Sequence, residues 1–127
     1  GVTGAQGATG AYSGIMDVVG VQNFGPTAAS SAYAGQLFYK VAPDIDDKPL
    51  QFGVTDLTGS RFEYFNRSSA DDIIIEFLSG TTLNGTSISG SSANVQVGIG
   101  QHVTVMGVGL GEYIVWLSQA PTVNTIP

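Results

Sequence analysis

Residues that form turns interrupt the sequence about every eight to twelve positions from Gly14 onward. Asn23-Phe24-Gly25-Pro26, Leu57-Thr58-Gly59 and Gly109-Leu110-Gly111 are examples. Gly adopts positive φ, Pro presets φ, and Asn and Asp bond to their own backbone. Between the turns, the sequence predicts strands at residues 15–21, 36–41, 49–55, 61–65, 72–78, 94–99, 102–108 and 112–118. Short strands at this spacing predict an all-β sandwich or barrel.

Two segments also carry helical signals. Residues 27–34 are rich in Ala and Ser and fit one or two helical turns. Residues 69–72 resemble a capping box, but the three consecutive Ile at 73–75 favour a strand. We therefore expect a strand at residues 72–78.

The strand at residues 112–118 is apolar on both faces. Tyr113, Val115 and Leu117 alternate with Ile114 and Trp116. A strand with two apolar faces is buried on both. In so small a domain, we expect one face to cover the core and the other to contact a neighbouring chain. The alternative is a central strand covered by loops of its own chain.

Charge and composition exclude several classes of protein. The net charge is −6 with four basic residues, so the chain repels nucleic acid and anionic membranes. No run approaches the roughly 20 apolar residues of a membrane span. The absence of Cys excludes disulfides and thiolate metal sites. With 43% apolar residues, the chain can still bury a core.

Candidate catalytic groups are sparse. His102, the single His, lies within a predicted strand and away from any nucleophile motif. One acidic cluster contains Asp71, Asp72 and Glu76. The other comprises Asp44, Asp46 and Asp47, which could supply oxygen ligands to Ca²⁺ but lack the EF-hand spacing and fit a solvated loop. We predict no catalytic residue, no metal site and no cofactor.

A polar loop at residues 79–92 is the candidate binding segment, because Ser, Thr, Gly and Asn form adaptable surfaces on rigid β scaffolds. Asn84-Gly85 fits the tip of a type I′ hairpin. The predicted ligand-binding residues are Thr81, Thr82, Asn84, Thr86 and Ser87, with Tyr64 as an aromatic platform for a sugar ring. The alternative is an exposed connector. Asn66 and Asn84 also begin glycosylation patterns.

Residues 1–12 form four Gly-X-Y triplets in one phase, which ends at Ser13. This period is typical of a collagen triple helix, where only Gly fits at the axis. Four triplets without Pro cannot hold three chains together, so the globular part must trimerise. We expect a collagen-like stalk end at residues 1–12 and a β-sandwich head at residues 13–127. The alternative is a flexible linker or a cloning scar.

A Gly-X-Y segment before a compact, Cys-free β head resembles the collagen-like trimeric fibre proteins of bacteriophages. More distantly, it is similar to collagen-stalked jelly-roll heads of spore-surface glycoproteins and of complement and tumour-necrosis-factor-like proteins. The resemblance implies a homotrimeric, jelly-roll-like sandwich that attaches to a surface ligand.

We therefore expect a structural, adhesive fibre head on the virion surface. Its expected partners are further copies of itself, a host-surface glycan or protein, and other virion proteins through the upstream segment. Nucleic acid and membrane insertion are not expected. Alternatives are a capsid decoration protein, a spore or cell-surface glycoprotein head, or a polysaccharide-cleaving enzyme that depends on Asp72 or Glu76. We expect no enzymatic activity.

Overall fold

Two packed β-sheets make up the computed structural model, which describes residues 17–21, 27–40 and 50–125. The stalk at residues 1–12 and the acidic loop at residues 44–47 lie outside the described residues. The described strands, in chain order, are β1 (Asp17–Val21), β2 (Thr27–Ala28), β3 (Gln36–Lys40), β4 (Leu50–Phe52), β5 (Arg61–Asn66), β6 (Ile73–Leu78), β7 (Thr82–Leu83), β8 (Thr86–Ser87), β9 (Ser92–Val97), β10 (His102–Gly109) and β11 (Glu112–Ser118).

The two sheets differ in length. The short sheet has the strand order β9-β6-β4-β2, and the long sheet has the order β1-β3-β5-β10-β11-β7-β8. The all-β sandwich is confirmed, and each predicted strand overlaps an observed one. Across the described ranges, no helix is long and apolar enough to cross a membrane.

Along the first six described strands, each strand belongs to the opposite sheet from the strand before it. Strands β1, β3 and β5 run parallel in the long sheet, while β2, β4 and β6 run parallel in the short sheet. The chain therefore winds as a coil rather than folding back in hairpins. A jelly roll is antiparallel, so the jelly-roll expectation does not describe this half. Antiparallel pairing begins with β6–β9 and with the β5–β10–β11 group.

Aromatic rings from both sheets meet in the core. Phe52 of the short sheet lies 5.1 Å from Phe62 and 5.2 Å from Tyr113, both in the long sheet, between ring centroids. Phe77 stacks on Phe52 at 5.2 Å. Each such buried side chain contributes about 1.5–3 kcal/mol, so this cluster holds the sheets together. Inward-facing Ile73 and Ile75 on β6 extend it.

The two segments with helical signals in the sequence, residues 27–34 and 69–78, have different outcomes in the structure. The helical expectation for residues 27–34 is wrong except for one 3₁₀ turn, Ser31–Tyr33, because Thr27 and Ala28 pair with β4. The strand expectation for residues 72–78 is confirmed over Ile73–Leu78, where β6 pairs with strands on both sides.

The loop between β4 and β5 packs closely over β10. The Gly107 amide donates to the Ser60 carbonyl oxygen at 3.0 Å, and the Gly59 amide donates to the Gly107 carbonyl oxygen at 2.9 Å. A Cβ atom on Gly107 would overlap the Leu57 carbonyl oxygen. Glycine is therefore required at position 107 by close backbone approach.

Candidate functional site: the outer face of the long sheet

Three adjacent strands of the long sheet bring polar and apolar side chains together on its outer face. The register of β5, β10 and β11 aligns Arg61 with Met106 and Ile114, and Glu63 with Thr104 and Trp116. Directly opposite residues share one face of a sheet. We call this surface the Trp116 face, and its residues are Arg61, Glu63, His102, Thr104, Met106, Ile114 and Trp116.

Strand β11 presents apolar side chains on both faces, as its sequence predicts. Tyr113 is fully buried in the core, and its hydroxyl donates to the Gly53 carbonyl oxygen at 2.7 Å. On the opposite side, Ile114 is 39% exposed and Trp116 is 53% exposed. Loops of the described chain therefore leave this second face largely uncovered.

A carboxylate at the centre of the Trp116 face holds two basic side chains. Glu63 is only 13% exposed, and its Oε1 lies 2.9 Å from His102 Nε2. Its Oε2 lies 3.3 Å from Arg61 Nε. The Glu63 carboxyl group and the His102 imidazole therefore share a hydrogen bond between β5 and β10. His102 thus orients Glu63, and Ser118, directly opposite on β11, donates its hydroxyl to the His102 carbonyl oxygen at 3.1 Å.

A shallow depression lies beside the ion pair of Arg61 and Glu63. Its volume is about 270 Å³, and it is lined by Arg61, Thr104, Met106 and Trp116. An indole face, a thioether and a guanidinium group offer apolar contact with a charged rim. The sequence did not single out Arg61, Glu63 or Met106. The alternation of buried Phe62 and Tyr64 could have placed Arg61 and Glu63 outward, but not beside His102.

The polar loop at residues 79–92 contains the predicted hairpin. Strands β7 and β8 pair around Asn84 and Gly85, whose φ values are 49° and 83°. Both central residues of a type I′ turn require positive φ, so this prediction is confirmed. The hairpin lies along β11, with Asn84 Oδ1 accepting from the Val115 amide at 2.8 Å and Nδ2 donating to the Val115 carbonyl oxygen at 3.1 Å.

Some of the predicted ligand-binding side chains of this loop are exposed, and others already make hydrogen bonds within the chain. Thr86 and Ser87 are exposed, and Thr82 is half-buried. Thr81 is fully buried, and its hydroxyl donates to the Leu78 carbonyl oxygen at 2.7 Å. Its prediction as a ligand contact is therefore wrong for the folded chain. The exposed Asn84 uses its side-chain amide to hold the hairpin.

Tyr64 is not a surface platform. Its side chain is fully buried, its ring stacks on Phe38 at 5.1 Å, and burial raises its pKa well above the usual 10.0. Its hydroxyl has no hydrogen-bond partner within the described part of the chain. The prediction of Tyr64 as a sugar-stacking residue is wrong, because inward alternation on β5 places it in the core. Among the described residues, the exposed aromatic ring is that of Trp116.

Asn66, which begins the first of the two glycosylation patterns, is also buried. Its Nδ2 donates to the carbonyl oxygens of Asp71 at 2.6 Å and Val97 at 2.9 Å. Its Oδ1 accepts from the Ser68 amide at 2.9 Å and from the Ser68 hydroxyl at 2.8 Å. This amide is therefore inaccessible to glycosylation in the folded chain.

Over residues 17–21, 27–40 and 50–125, no group of three or more His, Asp or Glu side chains is arranged to hold a metal ion. No protein-family model matches the sequence, and neither a curated protein nor a solved structure is significantly similar to it.

Proposed function

We propose that this chain is the head of a homotrimeric virion fibre and attaches the particle to a host-surface ligand. The supporting observation is the Trp116 face, where Ile114 and Trp116 stay exposed on a strand whose opposite face lies against the core. Burying exposed apolar area contributes about 25 cal/mol per Å². Contact with a second copy would bury this area, and in a closed ring of three each Trp116 face packs against a different surface of the next copy.

The face is wide enough for an interface. One row of directly paired positions crosses five strands from Val18 through Leu37, Glu63 and Thr104 to Trp116. Val18, at the far end, is 58% exposed. A stable interface buries about 800 Å² per partner, or about 20–30 residues. A face of this width can supply much of that area.

Attachment is assigned to the hairpin. Thr86 and Ser87 on β8 present hydroxyl groups to solvent, and Asn84 fixes the hairpin to β11. Hydroxyl and amide groups on a rigid turn suit a glycan, whose own hydroxyls donate and accept. Three copies carry three equivalent hairpins, so weak individual contacts add up through multivalency.

A change at Trp116 tests the assembly. The unchanged protein should have the solution mass of three chains, each of 13.1 kDa. Trp116→Asp should lower the mass to that of one chain, because a carboxylate cannot be buried unpaired in the interface. Asn124→Asp, an exposed change outside the sheets, is the matched control and should leave the mass unchanged. If Trp116→Asp does not alter the mass, the face is not the interface.

A glycan array tests attachment. The trimeric protein should retain a defined set of glycans, and the double change Thr86→Ala with Ser87→Ala should lower that binding at least tenfold. Binding that survives the double change would remove the hairpin from the site. A protein that binds no glycan would contradict the glycan assignment.

A further inference from the structure

Among the strands that the structure describes, β9 has the least protected outer edge. The described strands leave four edges, formed by β9 and β2 in the short sheet and by β1 and β8 in the long sheet. Edge strands expose unpaired N–H and C=O groups and are normally protected by shortness, charge, Pro or a bulge. Strands β2 and β8 have two residues each, and β1 carries exposed Asp17.

Strand β9 has none of these protections. It has six residues, Ser92–Val97, with neither charge nor Pro. Its pairing with β6 runs from Ser92 opposite Leu78 to Val97 opposite Ile73 without a register shift. Among the described residues, no strand pairs with its other edge. A long, regular, uncharged edge is suited to accept another strand.

We infer that this open edge pairs with β9 of a second copy of the chain. Charge favours a second copy at this place. Each copy has a net charge of −6, so two copies repel over most of their surface. However, the sequence from Phe77 to Gly111 contains no Asp, Glu, Lys or Arg. Strand β9 therefore adds no charge to the contact, and Glu76 of β6, directly opposite Asn94, accepts a hydrogen bond from Gln51 at 3.0 Å.

The strand is also complementary to itself. Exposed Ser92, Asn94 and Gln96 alternate with half-buried Val95 and fully buried Val97. In an antiparallel pair, directly opposite residues share a face. Two registers, centred on Asn94 or on Val95, align polar with polar and apolar with apolar side chains. The pair would join the two short sheets into one continuous sheet.

This contact is separate from the Trp116 face and goes beyond the proposed trimer. It lies on the short sheet, whereas the Trp116 face belongs to the long sheet. Each trimer carries three β9 edges, so a twofold contact joins two trimers into six chains and leaves further edges that can pair. Because the contact is one strand wide, we expect it to form as the protein concentration rises. Two fibre heads would then be linked side by side.

Solution mass as a function of concentration tests the pairing. The unchanged protein should rise from the mass of three chains to that of six chains or more. Asn94→Lys places a charge on the edge and should hold the mass at three chains at every concentration. Asn124→Lys makes the same charge change on an exposed residue outside the sheets and should behave like the unchanged protein. An unchanged protein that never doubles, or an Asn94→Lys variant that still doubles, overturns the inference.

The same measurement separates this inference from the proposed trimer. Trp116→Asp should give one chain at low concentration and two at high concentration. An unchanged protein that rises from one to two chains would support the β9 contact and contradict the trimer. A protein that keeps the mass of three chains at every concentration would support the trimer and contradict the β9 contact.

A cross-link locates the contact. The chain contains no Cys, so a single introduced Cys reports only the new contact. Asn94→Cys or Val95→Cys should form a disulfide-linked pair of chains under oxidising conditions. In each register, one of these two positions lies directly opposite the same position of the second copy. Ser92→Cys should not, since its two copies lie at least about 13 Å apart in either register. Equal cross-linking of all three variants, or of none, overturns the inference.

Discussion

The side-chain amide of Asn66 on β5 donates a 2.9 Å hydrogen bond to the carbonyl oxygen of Val97 on β9 and so joins the long sheet to the short sheet. Both residues are fully buried. The same Asn66 amide group also donates to the Asp71 carbonyl oxygen and accepts two bonds from Ser68. One side chain therefore satisfies four groups where the two sheets meet.

Replacing Asn66 with Ala should lower the free energy of unfolding by about 2–6 kcal/mol. The change removes a partner from the buried Val97 carbonyl oxygen and from the buried Ser68 amide, and each unsatisfied group costs about 1–3 kcal/mol. Urea unfolding followed by fluorescence measures the change. Asn124→Ala, at an exposed position, should stay within about 0.5 kcal/mol. Equal stabilities for the two variants would contradict the role of Asn66.

Gly107→Ala should destabilise the fold by about 1–3 kcal/mol, as overpacking does. The new methyl group would overlap the Leu57 carbonyl oxygen, so the loop over β10 would have to move. Gly90→Ala is the matched control, since an added Cβ there meets nothing within 4 Å. Thermal unfolding should show a lower Tm for Gly107→Ala alone. Similar Tm values for the two variants would mean that the loop moves away from the methyl group without loss of stability.

Tyr64 should make the fold sensitive to alkali. Burial raises the pKa of Tyr64 well above its usual 10.0, so the unfolded chain loses this proton first as the pH rises. The stabilising contribution is therefore complete below about pH 10 and is lost above it. Urea unfolding between pH 8 and about pH 11 measures this loss.

Tyr64→Phe provides the control for the alkaline effect. It removes the titrating group together with a buried hydroxyl that has no partner in the described part of the chain. The variant should be at least as stable at neutral pH and should lose less stability at high pH. Tyr113, whose pKa burial also raises, leaves a residual effect. Identical pH profiles for the two proteins would show that Tyr64 does not cause the alkaline loss.

Asn84→Ala should loosen the hairpin from β11. The change removes both side-chain bonds to Val115 and replaces a residue at φ 49° with one that tolerates this conformation poorly. Amide hydrogen exchange at Val115 should become at least tenfold faster. Exchange at Val105, in the neighbouring β10, should change little. If Val115 exchange is unaffected, the hairpin is held by other contacts.

Local signals predicted much of the fold. Turn residues and alternation predicted the strands, and Asn84-Gly85 predicted the hairpin tip, because these features depend on neighbouring residues. The coil of parallel strands was not predictable, since alternation sets the face of a strand but not the direction of its partner. Pairing of Glu63 with His102 depends in the same way on the register between β5 and β10.

The errors in the candidate site have a related cause. Tyr64 and Thr81 have residue types common at binding surfaces, but their positions in the strand and turn bury them. Alternation placed Ile114 and Trp116 on one face of β11 and Tyr113 and Val115 on the other, but it did not show which face meets the core. Composition describes which groups could bind, whereas register decides which of them reach solvent.

Light scattering at low protein concentration, below the range where β9 edges pair, decides whether the Trp116 face joins copies of the chain. We expect the mass of three chains for the unchanged protein and the mass of one chain for Trp116→Asp. If the unchanged protein instead has the mass of one chain, a single copy tolerates the exposed Trp116 face, and the proposed trimer is wrong.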